Sequence, residues 1–182
     1  MIANLLNALT LSRIFCSILI YLFLYLDSYY LLALILFGIA SLSDFLDGYL
    51  ARKTNSVSVL GEILDPIADK LLVVFVLIGL SINLDSFLIG FISAVIISRE
   101  IWVAALRDIN ARNNQSDKTK VTFLAKTKTA IQMFAILMYL LGLTLNNMMV
   151  LFFADIILII ALLITIQTGF QYTISTFKNE QR

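Results

Sequence analysis

The sequence predicts an all-α integral membrane protein with six transmembrane helices. Two observations on composition predict it: 60% of the 182 residues are hydrophobic, and the mean hydropathy is +0.95. A third is that apolar stretches recur between short polar breaks, each close to the ~20 residues that a helix needs to cross a bilayer. The predicted spans are Leu11–Leu26, Tyr30–Leu50, Leu60–Leu80, Phe87–Leu106, Phe123–Leu143 and Met148–Thr173.

The segment before Arg13 is predicted to be a short amphipathic helix that lies on the membrane surface. Its apolar residues are Leu5, Leu6, Leu9 and Leu11, and a helix with one apolar face binds at a lipid–water interface. A cleavable signal peptide is not expected, because no basic residue precedes the first apolar run and no small-x-small cleavage site is evident.

The placement of the basic residues predicts the orientation. All thirteen Lys and Arg fall in the N-terminus, Arg52–Leu60, Arg107–Lys128, the tail after Thr173 or the adjoining helix ends. The other three loops, near Asp27–Tyr29, Ser81–Ser86 and Thr144–Asn147, contain none. Because basic residues concentrate on the cytoplasmic side, both termini are expected to face the cytoplasm.

Composition also limits the chemistry. The chain has no His, which excludes imidazole metal ligands and a His general base, and Cys16 is its single cysteine. One cysteine excludes an internal disulfide and a zinc–thiolate cluster. A metal bound here must therefore be a hard cation on oxygen ligands, with Mg²⁺ or Mn²⁺ as the natural candidates.

An acidic motif occupies the second and third spans. It reads D-x-x-D-G-x-x-A-R, then eight residues, then G-x-x-x-D-x-x-x-D, and its defining residues are Asp44, Asp47, Gly48, Ala51, Arg52, Gly61, Asp65 and Asp69. At ~100° per residue the first two acids share one helix face, and so do the last two. Pro66 between the last two acids predicts either a later helix start or a kink.

The short loop Lys53–Leu60 predicts that the two spans are antiparallel neighbours, with both acid pairs facing one gap. Ionised carboxylates in apolar surroundings are costly unless they are paired or bind a metal, so the four acids indicate divalent cations. The small residues Gly48 and Ala51 indicate access for a bulky phosphate ligand, or else tight helix packing. The alternative for the acids is a structural salt-bridge network with Arg52, Lys53 and Lys70.

A basic cluster follows in the fourth and fifth spans, at the same predicted depth as the acids. Its members are Arg99, Arg107, Lys126 and Lys128. Because adjacent residues on a helix do not share a face, Glu100 is not expected to neutralise Arg99. The cluster is therefore interpreted as an anion site, against the alternative of a positive-inside signal or a contact with anionic lipid.

Metal-binding acids beside anion-binding bases favour transfer of a phosphoryl-linked group. A divalent-cation transporter is a second hypothesis, but its acids should line a path through the bilayer, and here only Asp155 lies within a span away from the cluster. A third is a non-catalytic lipid-binding protein, which needs no general base in addition to metal ligands.

The acidic motif matches, at every defining position, the signature of the CDP-alcohol phosphatidyltransferase family. Four further segments resemble bacterial members that use glycerol 3-phosphate as acceptor: Asn4–Arg13, Leu64–Lys70, Ser98–Arg107 and Lys126–Met133. The resemblance implies six transmembrane helices around a cytoplasm-facing cavity in a single catalytic domain, a homodimer, and Mg²⁺ or Mn²⁺, usually two ions. It also implies a place in a bacterial inner membrane. One departure is Leu6, where the family usually has proline.

The resemblance also implies a role for each matched residue. Asp44, Asp47, Asp65 and Asp69 would bind the metals, and Asp69 would also be the general base. Gly48, Ala51, Arg52 and Gly61 would line the cytidine diphosphate site. Arg99, Arg107, Lys126 and Lys128 would hold the phosphate of the acceptor. The implied reaction transfers a phosphatidyl group from CDP-diacylglycerol to glycerol 3-phosphate, giving phosphatidylglycerophosphate and CMP. Another acceptor, such as an inositol phosphate, serine or phosphatidylglycerol, is the alternative within the family.

Overall fold

The structure is a computed structural model that describes residues 2–54, 59–113 and 123–178. Every regular element in these ranges is a helix, which confirms the predicted all-α class of six helices. The helices are α1 (Ile2–Tyr25), α2 (Tyr30–Thr54), α3 (Val59–Asn83), α4 (Phe87–Arg112), α5 (Phe123–Leu145) and α6 (Met148–Phe177).

The amphipathic segment predicted before Arg13 is not a separate helix. It forms the first turns of α1, which continues from Ile2 to Tyr25 because no Gly or Pro interrupts that stretch. Thr10 and Arg13 on these turns are buried in the protein, with 1% and 1% of their surfaces exposed. α3 likewise begins at Val59 and continues through Pro66, so the helix starts before the proline.

Three turns close one end of the bundle, and each contains one Asp or Asn in the left-handed region. Their φ angles are 55° at Asp27, 46° at Asp85 and 48° at Asn146. Asp and Asn tolerate this conformation better than other non-glycine residues, so these turn residues suit their positions. Ser86 and Asn147 then cap α4 and α6 by accepting hydrogen bonds from backbone N–H groups of the first turn.

α1 and α3 run parallel and pack closely along their length. Thr10 meets Asp65 near one end, and Leu24 meets Gly79 near the other, where a Cβ on the glycine would lie 3.0 Å from the leucine Cδ1. Within the described ranges, the predicted direct packing of α2 on α3 is at most slight: α1 contacts both helices, and α2 also packs on α5.

The two ends of the bundle differ in the kind of residue that they bury. The end that carries the three turns has an apolar core that includes Leu24, Leu80 and Ile89. Toward the opposite end, polar groups such as Arg13 and Lys128 are buried between the helices. Because buried polar groups are costly unless they are partnered, this end is where a site is expected.

Within the described part of the chain, four helical segments are long and apolar enough to cross a bilayer: Asn7–Tyr25, Phe87–Arg112, Thr127–Leu145 and Met148–Phe177. A shorter apolar stretch, Tyr30–Ser43, lies in α2. The outer surface is apolar as well, since many large hydrophobic side chains are exposed. These features are those of a multi-pass membrane protein.

Asn83→Leu is predicted to destabilise the turn end of the bundle. The Asn83 amide donates to the Leu24 carbonyl and to Asp27 Oδ1, both at 2.9 Å. Losing this donor should lower stability by about 1–3 kcal/mol and the Tm in detergent by about 2–10 °C. Hydrogen bonds from Tyr30 and Asn83 lower the pKa of Asp27. The stability that Asp27 contributes to the fold is therefore present above its pKa in the unfolded chain and is lost as the pH falls through its pKa in the folded protein. An unchanged Tm at neutral pH would contradict this role.

Candidate functional site

Two acids of the predicted motif lie one helical turn apart on α3, and α1 binds both of them. Thr10 Oγ1 donates to Asp65 Oδ1 at 2.6 Å, and Arg13 Nη1 donates to Asp69 Oδ1 at 2.8 Å. The Arg13 side chain is fully buried, whereas 35% of the Asp69 side chain is exposed. α1 therefore fixes the orientation of both carboxylates, while Asp69 stays accessible from the cavity described below.

Sequence reasoning did not identify Thr10 and Arg13 as part of the site. The available signal was Arg13 itself, an isolated charge in an apolar helix, which usually faces the protein interior and a charged partner. Arg13 is thus a partner of Asp69 that the sequence analysis did not consider, and the side chains of Arg52 and Lys53 lie outside the described part of the structure. Lys70, the third base considered for a salt-bridge network, lies near Glu100.

The other residues of the acidic motif are placed only by their helices. The side chains of Asp44, Asp47, Gly48, Ala51 and Arg52, on the last part of α2, lie outside the described part of the structure. Gly61 is buried in the first turn of α3. Lys126 of the basic cluster is on α5, and its side chain is also outside the described part.

Glu100 on α4 is the centre of the basic cluster. Its Oε1 contacts Lys128 Nζ and accepts a hydrogen bond from Arg99 Nη1 at 2.9 Å, and its Oε2 lies 3.9 Å from Lys70 Nζ. The expectation that Glu100 would not pair with Arg99 is therefore wrong. The long arginine side chain spans the ~100° between adjacent helix positions, and Lys128 draws the carboxylate to the same side.

Arg99 has a second set of contacts, with α6. Its Nη2 donates to Thr168 Oγ1 at 2.9 Å, and its guanidinium carbon lies 5.7 Å from the centre of the Tyr172 ring. The guanidinium carbon of Arg107 lies 5.6 Å from the same ring centre. The predicted proximity of Arg99 and Arg107 is thus found, and the aromatic ring that joins them belongs to a helix in which the sequence indicated no functional residue.

A cavity of about 320 Å³ is lined by Asp69 of the acidic motif and by Lys128 of the basic cluster, whereas Arg99 and Arg107 are not among its lining residues. It lies between α3, α4 and α5, and its polar lining residues include Asp69, Lys70, Glu100 and Lys128. The wall is otherwise mainly apolar, with Val73, Ile96, Ile97 and Ile101 among the lining side chains. One cavity therefore presents a carboxylate capable of accepting a proton beside ammonium groups capable of binding an anion.

The donor set fits a hard divalent cation. Asp65 and Asp69 offer carboxylate oxygens one turn apart, and hard cations prefer such ligands. Within the described ranges, no group of three acidic or other metal-binding side chains lies close enough together to hold a metal. The predicted ligands on α2 are among the side chains outside those ranges.

Comparisons with known proteins agree with the motif. The model of the CDP-alcohol phosphatidyltransferase family matches residues 3–167. A Rickettsia bellii protein named CDP-diacylglycerol–glycerol-3-phosphate 3-phosphatidyltransferase is 44% identical over 172 residues, 93% of each chain. Proteins of the same name from Rickettsia prowazekii and Escherichia coli are 41% identical over 174 residues and 35% identical over 104 residues, covering 93% and 57% of each chain.

The family match spans most of the chain and includes the acidic motif, the basic cluster and the α1 residues that bind Asp65 and Asp69. The relatives agree with it over nearly their full length. The resemblance inferred from the motif is confirmed, and this multi-pass membrane enzyme belongs to the CDP-alcohol phosphatidyltransferase family.

Proposed function

We propose that the protein transfers a phosphatidyl group from CDP-diacylglycerol to glycerol 3-phosphate, forming phosphatidylglycerophosphate and CMP. The observation that carries the proposal is the cavity in which Asp69 and Lys128 line the same space. The relatives named for this reaction, which match over 93% of the chain, support the choice of both substrates.

The charge around Glu100 suits a phosphorylated acceptor. Lys70, Arg99 and Lys128 contribute three positive charges and Glu100 one negative charge, so the cluster carries a net charge of +2. A phosphate monoester carries about −1.5 to −2 at neutral pH. Arg107 and Lys126 are proposed to complete the acceptor site. Burial strengthens such interactions, and 5% of the Lys128 side chain is exposed.

Asp69 is proposed to be the general base. Its carboxylate takes the proton from the 1-hydroxyl of glycerol 3-phosphate, and the hydroxyl oxygen forms a bond to the lipid-side phosphorus of CDP-diacylglycerol. The bond from that phosphorus to the bridging oxygen breaks, and CMP leaves with the bonding electrons. Arg13 holds the carboxylate in place through its 2.8 Å hydrogen bond.

Binding of the donor substrate is assigned to the acidic motif. Asp44, Asp47, Asp65 and Asp69 are proposed to hold Mg²⁺ or Mn²⁺, two ions in all, and Gly48, Ala51, Arg52 and Gly61 to line the cytidine diphosphate site. Divalent metal ions supply neutralisation of the diphosphate and of the leaving CMP. The apolar lining of the cavity limits water, which would otherwise compete with the acceptor hydroxyl.

We further propose that residues 1–182 act as one catalytic domain, that the site and both termini face the cytoplasm, and that the enzyme is a homodimer. The orientation is supported by the three turns without Lys or Arg at the end opposite the cluster. Homodimer formation rests on the family resemblance alone.

The transporter hypothesis receives less support from the packing. Asp155, the acid near the turn end of α6, accepts a hydrogen bond from Tyr139 and is not among the residues that line the cavity. Tyr139 is buried in the apolar core, so this acid is explained by a local partner.

The test is CMP release by purified protein in detergent, with CDP-diacylglycerol, Mg²⁺ and one acceptor at a time. Glycerol 3-phosphate should support turnover, and inositol phosphate, serine and phosphatidylglycerol should not. EDTA should abolish activity, and Mg²⁺ or Mn²⁺ should restore it. Turnover with a different acceptor would agree with the family but would overturn the assignment of the basic cluster to the phosphate of glycerol 3-phosphate. Folded protein that releases no CMP with any acceptor would overturn the proposed function.

A further inference from the structure

The inner part of α6 forms a polar surface against α4. Three neighbouring residues of α6, Thr168, Gly169 and Tyr172, contact Arg99, and Tyr172 also contacts Arg107. These three residues follow the end of the family match at residue 167. The match therefore assigns them no role, and the proposed function uses none of them.

Gly169 determines the path of the Arg99 side chain. A Cβ at this position would lie 3.1 Å from Arg99 Cγ and 3.5 Å from its Nε, so a side chain here would push the arginine stem away from α6. Thr168 then binds the guanidinium at 2.9 Å. The Arg99 side chain is 9% exposed, and its Nε has no hydrogen-bond partner among the described residues. The Arg99 side chain is thus held between α4 and α6 before any ligand binds.

The ring of Tyr172 is near two arginines, Arg99 and Arg107, whose like charges repel each other. The ring is 3% exposed, and its centre is 5.7 Å and 5.6 Å from the two guanidinium carbons. An aromatic ring attracts a cation at distances up to ~6 Å through its negative face, and the attraction is stronger when the pair is desolvated. The ring therefore holds two positive charges near each other before any anion arrives.

We propose that Tyr172 is a positioning residue that preorganises Arg99 and Arg107 for the phosphate of the acceptor substrate. The proposal rests on the proposed function and deepens it, because it explains how two like charges are kept in one binding site. Preorganisation reduces the free energy that the phosphate would otherwise spend on ordering long side chains. Loss of the ring should therefore weaken acceptor binding more than donor binding.

The packing of α6 on α4 does not depend on the ring alone. Trp102 Nε1 donates to Thr173 Oγ1 at 2.9 Å, and Asn110 Nδ2 donates to Thr176 Oγ1 at 2.8 Å. These hydrogen bonds connect the same two helices without involving either arginine. Thr173→Val consequently offers a matched control, which weakens the contact between α4 and α6 but leaves Tyr172 and both arginines in place.

The experiment compares full-length wild type with Tyr172→Leu, Tyr172→Phe and Thr173→Val in the CMP-release assay. Tyr172→Leu should raise the KM for glycerol 3-phosphate about tenfold, with less than a twofold change in the KM for CDP-diacylglycerol. Tyr172→Phe keeps the aromatic face and should restore the KM for glycerol 3-phosphate to within about threefold of wild type. Thr173→Val should leave both KM values unchanged, and the Tm of each variant reports folding.

Two results would overturn the proposal: an unchanged KM for glycerol 3-phosphate in folded Tyr172→Leu, or equal increases for both substrates. If Tyr172→Leu does not fold, Gly169→Ala replaces it. Gly169→Ala should raise the KM for the acceptor selectively by moving Arg99, and an unchanged KM in that variant would also overturn the proposal. Wild-type turnover that depends on glycerol 3-phosphate tests the proposed function separately, so failure of this proposal can be told apart from failure of the proposed function.

Discussion

Asp69→Asn should lower CMP release by about 10³-fold or more, with the largest loss in kcat. The amide has the size of the carboxylate and still accepts a hydrogen bond from Arg13, but it cannot take a proton from the acceptor hydroxyl. General-base catalysis contributes about 10²–10⁴-fold, and the amide is also a poorer ligand for a divalent cation. CMP release with saturating CDP-diacylglycerol and glycerol 3-phosphate measures the effect.

The same substitution removes the carboxylate that the buried Arg13 binds, so a loss of stability must be separated from a loss of chemistry. The double variant Arg13→Met, Asp69→Asn removes both charges and should recover most of the lost Tm while remaining inactive. Asp108→Asn provides the control, because this exposed acid pairs with Arg112 at 2.7 Å on the surface of α4. A folded Asp69→Asn enzyme within tenfold of wild-type turnover would contradict the role of Asp69 as general base.

Local rules predicted much of the fold. The positions of the six helices followed from apolar stretches and polar breaks, because hydrophobic length and turn chemistry are local properties of a sequence. At Pro66 the later helix start, one of the two alternatives, is excluded because α3 begins at Val59, and the first turns of α1 differed from expectation. α1 continues through the segment before Arg13 since nothing in Ile2–Tyr25 interrupts a helix, and the partners of its polar residues lie on α3, more than fifty positions along the chain.

In the candidate site, too, the sequence predicted relations within one helix but not contacts between helices. Spacing along one helix correctly placed Asp65 and Asp69 one turn apart and Arg99 near Arg107. Spacing cannot reveal that Glu100 lies between Arg99 and Lys128, because that contact depends on how α5 approaches α4. Tyr172 was missed for a related reason. A tyrosine in an apolar helix has many uses, and only packing against α4 shows which charges it contacts.

Lys128→Met should raise the KM for glycerol 3-phosphate about 10²-fold, since removing one partner of a buried charge contact costs about 2–5 kcal/mol. The KM for CDP-diacylglycerol should change much less, because Lys128 lines the cavity on the side of Glu100. Lys178→Met makes the same change at an exposed position beyond α6 and serves as the control. An unchanged acceptor KM in folded Lys128→Met would exclude this lysine from the acceptor site.

Adding a second substitution tests whether the acceptor phosphate needs the ammonium group of Lys128 itself or only the net positive charge of the cluster. Lys128→Met reduces the net charge of the group formed by Lys70, Arg99, Glu100 and Lys128 from +2 to +1, and adding Glu100→Gln returns it to +2. If the overall field alone attracted the phosphate, the double variant would bind glycerol 3-phosphate as wild type does. We expect the double variant to lower the raised KM for glycerol 3-phosphate by less than about tenfold, because a hydrogen-bonded ammonium binds a phosphate oxygen more strongly than a distant charge does. Full recovery would mean that Glu100 and Lys128 tune the charge of the cavity, and that the direct contact with the acceptor is made by the arginines held on Tyr172.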